Sequence, residues 1–409
     1  MNTPPPPLLL SSKITWCVGL TQLINWGITY YLLGAFGSAI ANDTSWGQPL
    51  IFSGLTLAMG IMGLISPISG RLLASMGGRK VLQLGALLNG LGCLLLATSH
   101  SLYIYLMAWL VMGIGMRLSL YDAAFAVLVN LAGPTARKSI TQVTLLGGLA
   151  SVAFWPIGEG LLSLLGWRWG VGCYSLFALI SILLCISLPE NKRERGAAPR
   201  EPTEQGIQHL ERDYLKCGLY AALMALLSFL STGISTHLPL ILASAGVPVL
   251  VGSLWGVGQV SARLGDIAMG SRGSALGLNL IVGILLPCCF IISLLGQTSI
   301  VGTGLFVLGY GAVNGLSTLV RATLPLTLFD PRLYASRMGT LLMPSFFLSA
   351  LAPSLYASFR ERFGDTGMLI ISLVFACMAA VIAIWIYLIG KDKQALQRVP
   401  VDITSNVNE

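Results

Sequence analysis

The sequence predicts an all-α polytopic membrane protein in which twelve transmembrane helices form two pseudo-symmetric six-helix bundles. Hydrophobic residues make up 55% of the 409 residues and charged residues only 10%, whereas soluble domains carry roughly 25% charged residues. Twelve separate apolar runs approach or exceed the length of about 20 residues that a helix needs to cross a bilayer. Because backbone groups inside lipid must be hydrogen-bonded within the segment, these runs are expected to be helices.

The spans fall into two groups of six. The first group covers residues 14–188, the second covers 214–390, and the segment 189–213 between them is rich in charge, proline and glutamine, which is typical of a hydrophilic linker. Tails 1–13 and 391–409 flank the two groups. The predicted spans are, in order, 14–40, 49–74, 81–99, 102–131, 139–165, 167–188, 214–242, 248–269, 275–296, 300–329, 338–359 and 367–390.

The distribution of Lys and Arg predicts the orientation in the membrane. Nineteen of the 24 Lys and Arg residues fall on one side, only Arg168, Arg360 and Arg362 fall on the other, and Arg117 and Arg321 lie within spans. Basic residues accumulate in cytoplasmic loops, so both termini and the linker are predicted to be cytoplasmic, in a plasma (bacterial inner) membrane. The same asymmetry accounts for the net charge of +8, and no nucleic-acid partner is expected.

Short motifs recur in the two halves. The tripeptide Gly-Arg-Leu at 70–72 corresponds to Ala-Arg-Leu at 262–264, and Pro156 in the fifth span corresponds to Pro353 in the eleventh. A duplicated six-helix unit is a recurrent plan of transporters, in which the substrate site lies near the membrane midplane where the repeats meet.

The spans, the two halves, the polar linker and a charged turn after the second span resemble the major facilitator superfamily. The local motif, from Gly70 to Lys80, is Gly-Arg-Leu-Leu-Ala-Ser-Met-Gly-Gly-Arg-Lys, although Ala74 stands where the family usually has Asp. In the second half Asp266 occupies that place with Arg263 and Arg272 nearby, so a charge latch between them is expected there. The basic pair of the motif also fits ordinary loop anchors at the membrane surface. The resemblance implies gating roles for Gly70, Gly77, Arg79, Lys80, Arg263 and Asp266.

The fourth span contains two charged residues, Arg117 and Asp122. An ionised side chain near the bilayer centre costs at least ~2.5–3.5 kcal/mol, so such residues normally face a water-filled cavity or a partner. On one continuous helix, five residues separate the two side chains by roughly 140° around the axis. We therefore expect one of them to face a central pathway and the other to face a neighbouring helix.

The resemblance implies that spans 1, 4, 7 and 10 line a central cavity, and polar stripes on these spans agree. In span 10, Tyr310, Asn314 and Arg321 share one helix face. Arg117 and Arg321 lie in corresponding spans and would suit an anionic group, because guanidinium binds carboxylate and phosphate bidentately. Alternatively, Arg117 is neutralised by Asp122 or a neighbour, and Arg321 anchors the inner interface. The predicted substrate-binding residues are Arg117, Tyr121, Arg321, Asn314, Asn25, Trp26 and Tyr310.

Asp122 and Glu159 are the candidates for proton coupling. A carboxylate shielded from water can bind a proton while the cavity is open to one side of the membrane and release it when the cavity opens to the other side. The structural alternative for each is a salt bridge or a hydrogen bond between helices.

These observations predict a secondary active transporter that moves a small organic, anionic or amphipathic solute by proton-coupled alternating access. Export is the favoured direction, because exporters are frequent among short members of the family that the chain resembles. Uptake of an organic anion or a metal-chelating metabolite is the first alternative, and a non-transporting membrane receptor is a further one. The sequence contains no HExxH, GxSxG or P-loop motif, so an enzyme is not expected.

No cofactor or metal is expected beyond the proton gradient as energy source. The eight cysteines include no CxxC pair and no Cys/His cluster, which argues against a zinc site and a disulfide framework. The expected partners are a small-molecule solute and the lipid bilayer, and the protein is expected to be a monomer.

Overall fold

A computed structural model describes residues 11–190, 204–269, 274–296, 299–330 and 334–397. Regular structure within these ranges is entirely helical, with fourteen α-helices and two short 3-10 turns. Most of the predicted linker and most of both predicted tails lie outside the described residues.

The first half contains eight helices. They are α1 (Ser12–Ile28), α2 (Leu32–Thr44), α3 (Gln48–Met76), α4 (Gly78–Ala97), α5 (Leu102–Ser119), α6 (Tyr121–Ala132), α7 (Arg137–Gly148) and α8 (Ala150–Cys185), with a 3-10 turn at Gly133–Ala136. The second half contains α9 (Glu204–Ser244), a 3-10 turn at Val249–Ser253, α10 (Leu254–Met269), α11 (Ala275–Leu295), α12 (Ile300–Leu328), α13 (Tyr334–Leu341) and α14 (Met343–Gln397).

The helices account for the twelve predicted spans. Nine helical segments of the described chain are long and apolar enough to cross a membrane. Two of the nine hold two spans each, because Gly166 in α8 (φ 74°) and Gly364 in α14 (φ 69°) leave the helical conformation, in a region that favours glycine. The 16-residue helix α10 supplies the eighth span. The predicted all-α, two-bundle membrane fold is confirmed. Helix α9 begins at Glu204, ten residues before the predicted start of the seventh span.

Several spans are built from two helices with a break between them. In the fourth span, Leu120 has an extended backbone (φ −79°, ψ −173°), and this residue ends α5 and begins α6. The fifth and eleventh spans, which correspond in the two halves, break at Leu149 and Leu342 respectively. The matching breaks agree with the predicted internal repeat.

The two halves touch backbone to backbone between α3 and α13. A Cβ atom added at Gly70 would lie 2.6 Å from the carbonyl oxygen of Ala335, and one added at Gly339 would lie 2.7 Å from the carbonyl oxygen of Ser66. Only residues without a side chain permit such an approach. We call the face of the molecule where Gly70 lies, next to the loop that carries Arg79 and Lys80, the basic side. The bundles are closed against each other there.

Candidate functional site

A central cavity lies between the two halves. Its volume is about 230 Å³, below the roughly 300–1,000 Å³ that is usual for ligand pockets. Spans 1, 4, 7 and 10 contribute to its lining, as predicted, and spans 2, 5, 8 and 11 contribute as well. Six predicted site residues line it: Trp26, Tyr121, Asp122, Asn314 and Arg321 from the predicted binding and coupling residues, and Arg263 from the predicted gating residues.

A charge cluster of Arg117, Asp122 and Arg321 lies at this cavity. Arg321 donates from Nε and Nη2 to the two carboxylate oxygens of Asp122, both at 2.9 Å. The Nη1 atom of Arg117 lies 3.8 Å from Oδ2 of the same carboxylate. Asp122 belongs to the first half and Arg321 to the second, so the bidentate pair joins the two bundles.

The expectation that Arg117 and Asp122 point in different directions is wrong. It assumed one continuous helix, whereas the chain leaves the helical conformation at Leu120. The break places Asp122 in the first turn of a new helix, where its side chain lies beside that of Arg117. The alternative interpretation, in which Asp122 neutralises Arg117, matches the geometry.

The remaining contacts of the cluster are with groups of the protein. Arg117 donates from Nε to the hydroxyl of Ser66 at 3.0 Å, and Arg321 donates from Nη1 to the hydroxyl of Ser228 at 3.4 Å. The ring of Phe346 lies 5.4 and 5.2 Å from the two guanidinium carbons, within the range of a cation–π contact. Both arginines therefore have protein partners, and the geometry does not support them as a free pair of cations for a solute.

Arg263 on α10 lines the cavity and differs from the other two arginines. Its side chain is only 2% exposed. Nη2 donates to the hydroxyl of Thr318 at 3.3 Å, but Nε and Nη1 have no hydrogen-bond partner within the described residues. The sequence analysis did not predict that Arg263 lines the cavity. Gln259 lies one helical turn before Arg263 and also lines the cavity. That i, i+4 polar pair was the available signal.

The predicted gating partner of Arg263, Asp266, points elsewhere. Its carboxylate accepts hydrogen bonds from Nη2 of Arg137 at 2.9 Å and from the hydroxyl of Thr141 at 3.1 Å. Both donors lie on α7, so this basic-side ion pair joins the two halves. The predicted association of Asp266 with Arg263 is wrong, because the two side chains leave α10 toward different neighbours. Arg272, the other neighbour considered, lies outside the described residues.

The other motif residues lie at the turn between α3 and α4. Gly77 has φ 83°, which explains a glycine at this position. Arg79 is half-buried and Lys80 is exposed. This geometry agrees with a tight, basic turn and does not distinguish a gating role from surface anchoring.

Three predicted site residues lie away from the residues that line the cavity. Tyr310 is 2% exposed and packs with Phe290, at 5.4 Å between ring centroids. Asn25 is buried inside the first bundle, where its Oδ1 accepts a hydrogen bond from Asn89. Glu159 is exposed on the outside of α8, so it is not the buried carboxylate that the coupling hypothesis required. The geometry supports neither solute contact for Tyr310 and Asn25 nor proton coupling for Glu159.

An aromatic wall covers one side of the cavity. It consists of Trp26, Tyr30, Tyr31, Tyr121 and Phe125, all of which line the cavity. Ring centroids of Trp26 and Tyr121 lie 5.1 Å apart, and Tyr121 stacks on Phe125 at 5.3 Å. Tyr121 is held by a hydrogen bond from its hydroxyl to the carbonyl of Thr144. Four of the five rings are only partly buried, and all five contribute aromatic surface to the cavity lining.

Comparison with known proteins agrees with this architecture. A model of the Major Facilitator Superfamily matches residues 18–353. The fold is similar to the crystal structure of the human organic anion transporter MFSD10 (TETRAN), with a TM-score of 0.69 and 18% identity over 93% of this chain and 100% of that one. It is also similar to the proton:xylose symporter XylE bound to 6-bromo-6-deoxy-D-glucose, with a TM-score of 0.73 and 13% identity over 92% and 94% of the chains. No curated protein matches the chain.

The two bundles and the cavity between them are the architecture of a secondary transporter. The chain belongs to the major facilitator superfamily. It is a multi-pass membrane transporter and not an enzyme.

Proposed function

We propose that the chain is a secondary active transporter that moves a small organic, anionic or amphipathic solute by proton-coupled alternating access. Asp122 carries this proposal, because it is the one carboxylate among the described residues that line the cavity and it is clamped between an arginine of each half. We further propose a plasma (bacterial inner) membrane with both termini cytoplasmic, so that the basic side faces the cytoplasm.

The charge cluster suggests how a proton and a conformational change are linked. The basic side opens when the bundles tilt apart about the cavity, as in other transporters with internal repeats. That movement must break the bidentate pair of Asp122 and Arg321. Protonation of Asp122 removes its charge, so the coulombic attraction to Arg321 is lost, and one carboxyl oxygen becomes an O–H donor, which weakens the bidentate contact. Proton binding at this carboxylate therefore favours separation of the halves.

Charge in the cavity favours an anionic solute. Arg117 and Arg321 share one carboxylate, and Arg263 adds a further positive charge. The three arginines outnumber the one carboxylate, and an excess of one sign of charge in a cleft concentrates solutes of the opposite sign. The similarity in fold to an organic anion transporter and to a proton symporter supports the solute class and the coupling, and we propose export as the direction, as the sequence favoured.

Proteoliposomes with an imposed pH gradient test the proposal. The probe is a panel of radiolabelled organic anions and their neutral amides, with Asp122→Asn compared to the wild type. We expect Asp122→Asn to abolish gradient-driven accumulation and to keep solute exchange at equal pH. Unchanged driven accumulation would remove Asp122 from the coupling mechanism.

Vesicle orientation tests the direction. Driven accumulation in inverted vesicles alone supports export, whereas accumulation in right-side-out vesicles alone supports an uptake symporter. Binding without movement in either orientation would favour a non-transporting receptor.

A further inference from the structure

We propose that Arg263 is the anion-binding residue of the central cavity and that the solute is a flat, unsaturated organic anion. Its charged group binds the guanidinium of Arg263, and its apolar body packs on the aromatic wall. This inference rests on the proposed transport function and names the chemistry of its solute.

The first argument is the missing partner of Arg263. Its guanidinium is buried, and two of its three nitrogens make no hydrogen bond within the described residues. A buried charge without a partner is strongly unfavourable. The carboxylates of Asp122 and Asp266 are already held by other arginines. The charge of Arg263 is therefore matched when an anion enters the cavity from solution.

The second argument is the kind of group left unpaired. Trp26 also lines the cavity, and its indole Nε1 is buried without a hydrogen-bond partner in the described part of the chain. The unpaired buried atoms on the described cavity lining are thus nitrogen donors, from Trp26 and Arg263. A carboxylate offers only acceptors, so it complements these donors. A cationic solute has the wrong charge for this cavity.

The third argument is the position of Arg263 beside the aromatic wall. A Cβ atom added at Gly148 would lie 2.3 Å from Nη1 of Arg263, and one added at Gly147 would lie 2.4 Å from the hydroxyl oxygen of Tyr121. Consecutive glycines at the end of α7 therefore make room for the cation and for the edge of the wall. An anion bound to Arg263 has its body next to aromatic rings, which favour stacked or edge-on flat partners.

Binding of 2-naphthoate to the purified full-length chain tests the inference. The comparison compounds are 2-naphthamide, which lacks the charge, and decahydro-2-naphthoate, which lacks the flat ring. We expect the wild type to bind 2-naphthoate at least about tenfold more tightly than the amide, and more tightly than the saturated acid, by calorimetry; tenfold corresponds to 1.4 kcal/mol.

Two substitutions and one matched control localise the effect. Arg263→Gln should abolish the preference for the acid over the amide, and Arg263→Lys should restore part of it. Gly148→Ala keeps the charge but displaces the guanidinium, so it should also weaken binding of the acid. Arg168→Gln removes a cation that lies outside the cavity lining and is 31% exposed, and it should leave the preference unchanged.

The inference is overturned if the wild type does not bind 2-naphthoate, or if Arg263→Gln and Gly148→Ala both bind it as the wild type does. It is also overturned if both variants lose affinity for 2-naphthoate and for 2-naphthamide by the same factor. Transport separates this result from the broader proposal. Gradient-driven accumulation that persists unchanged in Arg263→Gln would refute the role of Arg263 and leave the transporter standing. Binding that depends on Arg263 without any transport would refute the transporter.

Discussion

Replacing Asp122 with Asn is expected to destabilise the protein more than replacing Arg321 with Gln, although the two residues form one ion pair. Asp122 serves two cations, because Arg117 lies 3.8 Å from the same carboxylate. Its loss leaves both arginines without a counter-charge. Loss of Arg321 instead leaves Asp122 beside its remaining partner.

The exposed fractions set the size of the effect. Removing one partner of a fully buried ion pair costs about 3–5 kcal/mol. Arg321 is 20% exposed and Asp122 is 11% exposed, so cavity water lowers this cost, and we expect about 2–3 kcal/mol for Asp122→Asn. For Arg321→Gln we expect about 1 kcal/mol, the value of a typical hydrogen bond.

Thermal unfolding in detergent measures the difference. The expected decrease in apparent Tm is about 5 °C for Asp122→Asn and roughly 2 °C for Arg321→Gln. The decrease in Tm of the double variant should be smaller than the sum of the two single decreases, because the second substitution removes a cation that the first had left unpaired. Arg71→Gln, which removes an exposed cation, is the control and should change the free energy of unfolding by under about 0.5 kcal/mol. Equal losses for Asp122→Asn and Arg321→Gln, or strict additivity, would refute the reasoning.

Gly70→Ala should reduce the transport rate about tenfold, because the added Cβ atom clashes with the backbone of the other half and closing of the basic side then costs about 1–3 kcal/mol more. Gly60→Ala is the control, since a Cβ atom there meets nothing within 4 Å. Equal transport rates for the two variants would contradict the close contact at Gly70. Tyr310→Phe should leave solute binding unchanged, since the ring packs away from the cavity lining, and a loss in equilibrium binding would return this residue to the site. Asp266→Ala should accelerate hydrogen exchange in α7 and α10, because it removes the acceptor of a charge-assisted bond from Arg137 worth about 1.5–3 kcal/mol. Unchanged exchange would exclude the basic-side ion pair from holding the halves together.

Much of the fold follows from the sequence because the membrane restricts the choices. An apolar run of about 20 residues can only be a helix there, and glycines such as Gly166 mark the turns between spans. The break at Leu120 has no such local signal, because leucine is a good helix former. At the break, the carbonyl oxygen of Ser119 accepts a hydrogen bond from Nε2 of Gln22, a residue 97 positions away in the chain. Helical periodicity alone therefore placed Arg117 and Asp122 on different faces.

The site was predictable only where a residue type restricts its own surroundings. A buried carboxylate requires a cation or a proton, so Asp122 was recognisable before its partners were. Tyr310 and Asn25 also lie on polar stripes, but aromatic packing and a hydrogen-bond network within one bundle account for them. A polar stripe identifies a buried polar face and does not distinguish a cavity from a helix interface.

Three arginines near the cavity show why the sequence alone did not identify the one with unpaired donors. Arg117, Arg263 and Arg321 have the same side chain, and the sequence favoured the first and third because they occupy corresponding spans. Their capacity to bind a solute depends on which carboxylates fold beside them. Asp122 pairs with both predicted residues, while Asp266 pairs with Arg137 across the interface and not with Arg263. Because each carboxylate is committed to a residue of another span, only the three-dimensional arrangement shows that Arg263 keeps unpaired donors for a ligand.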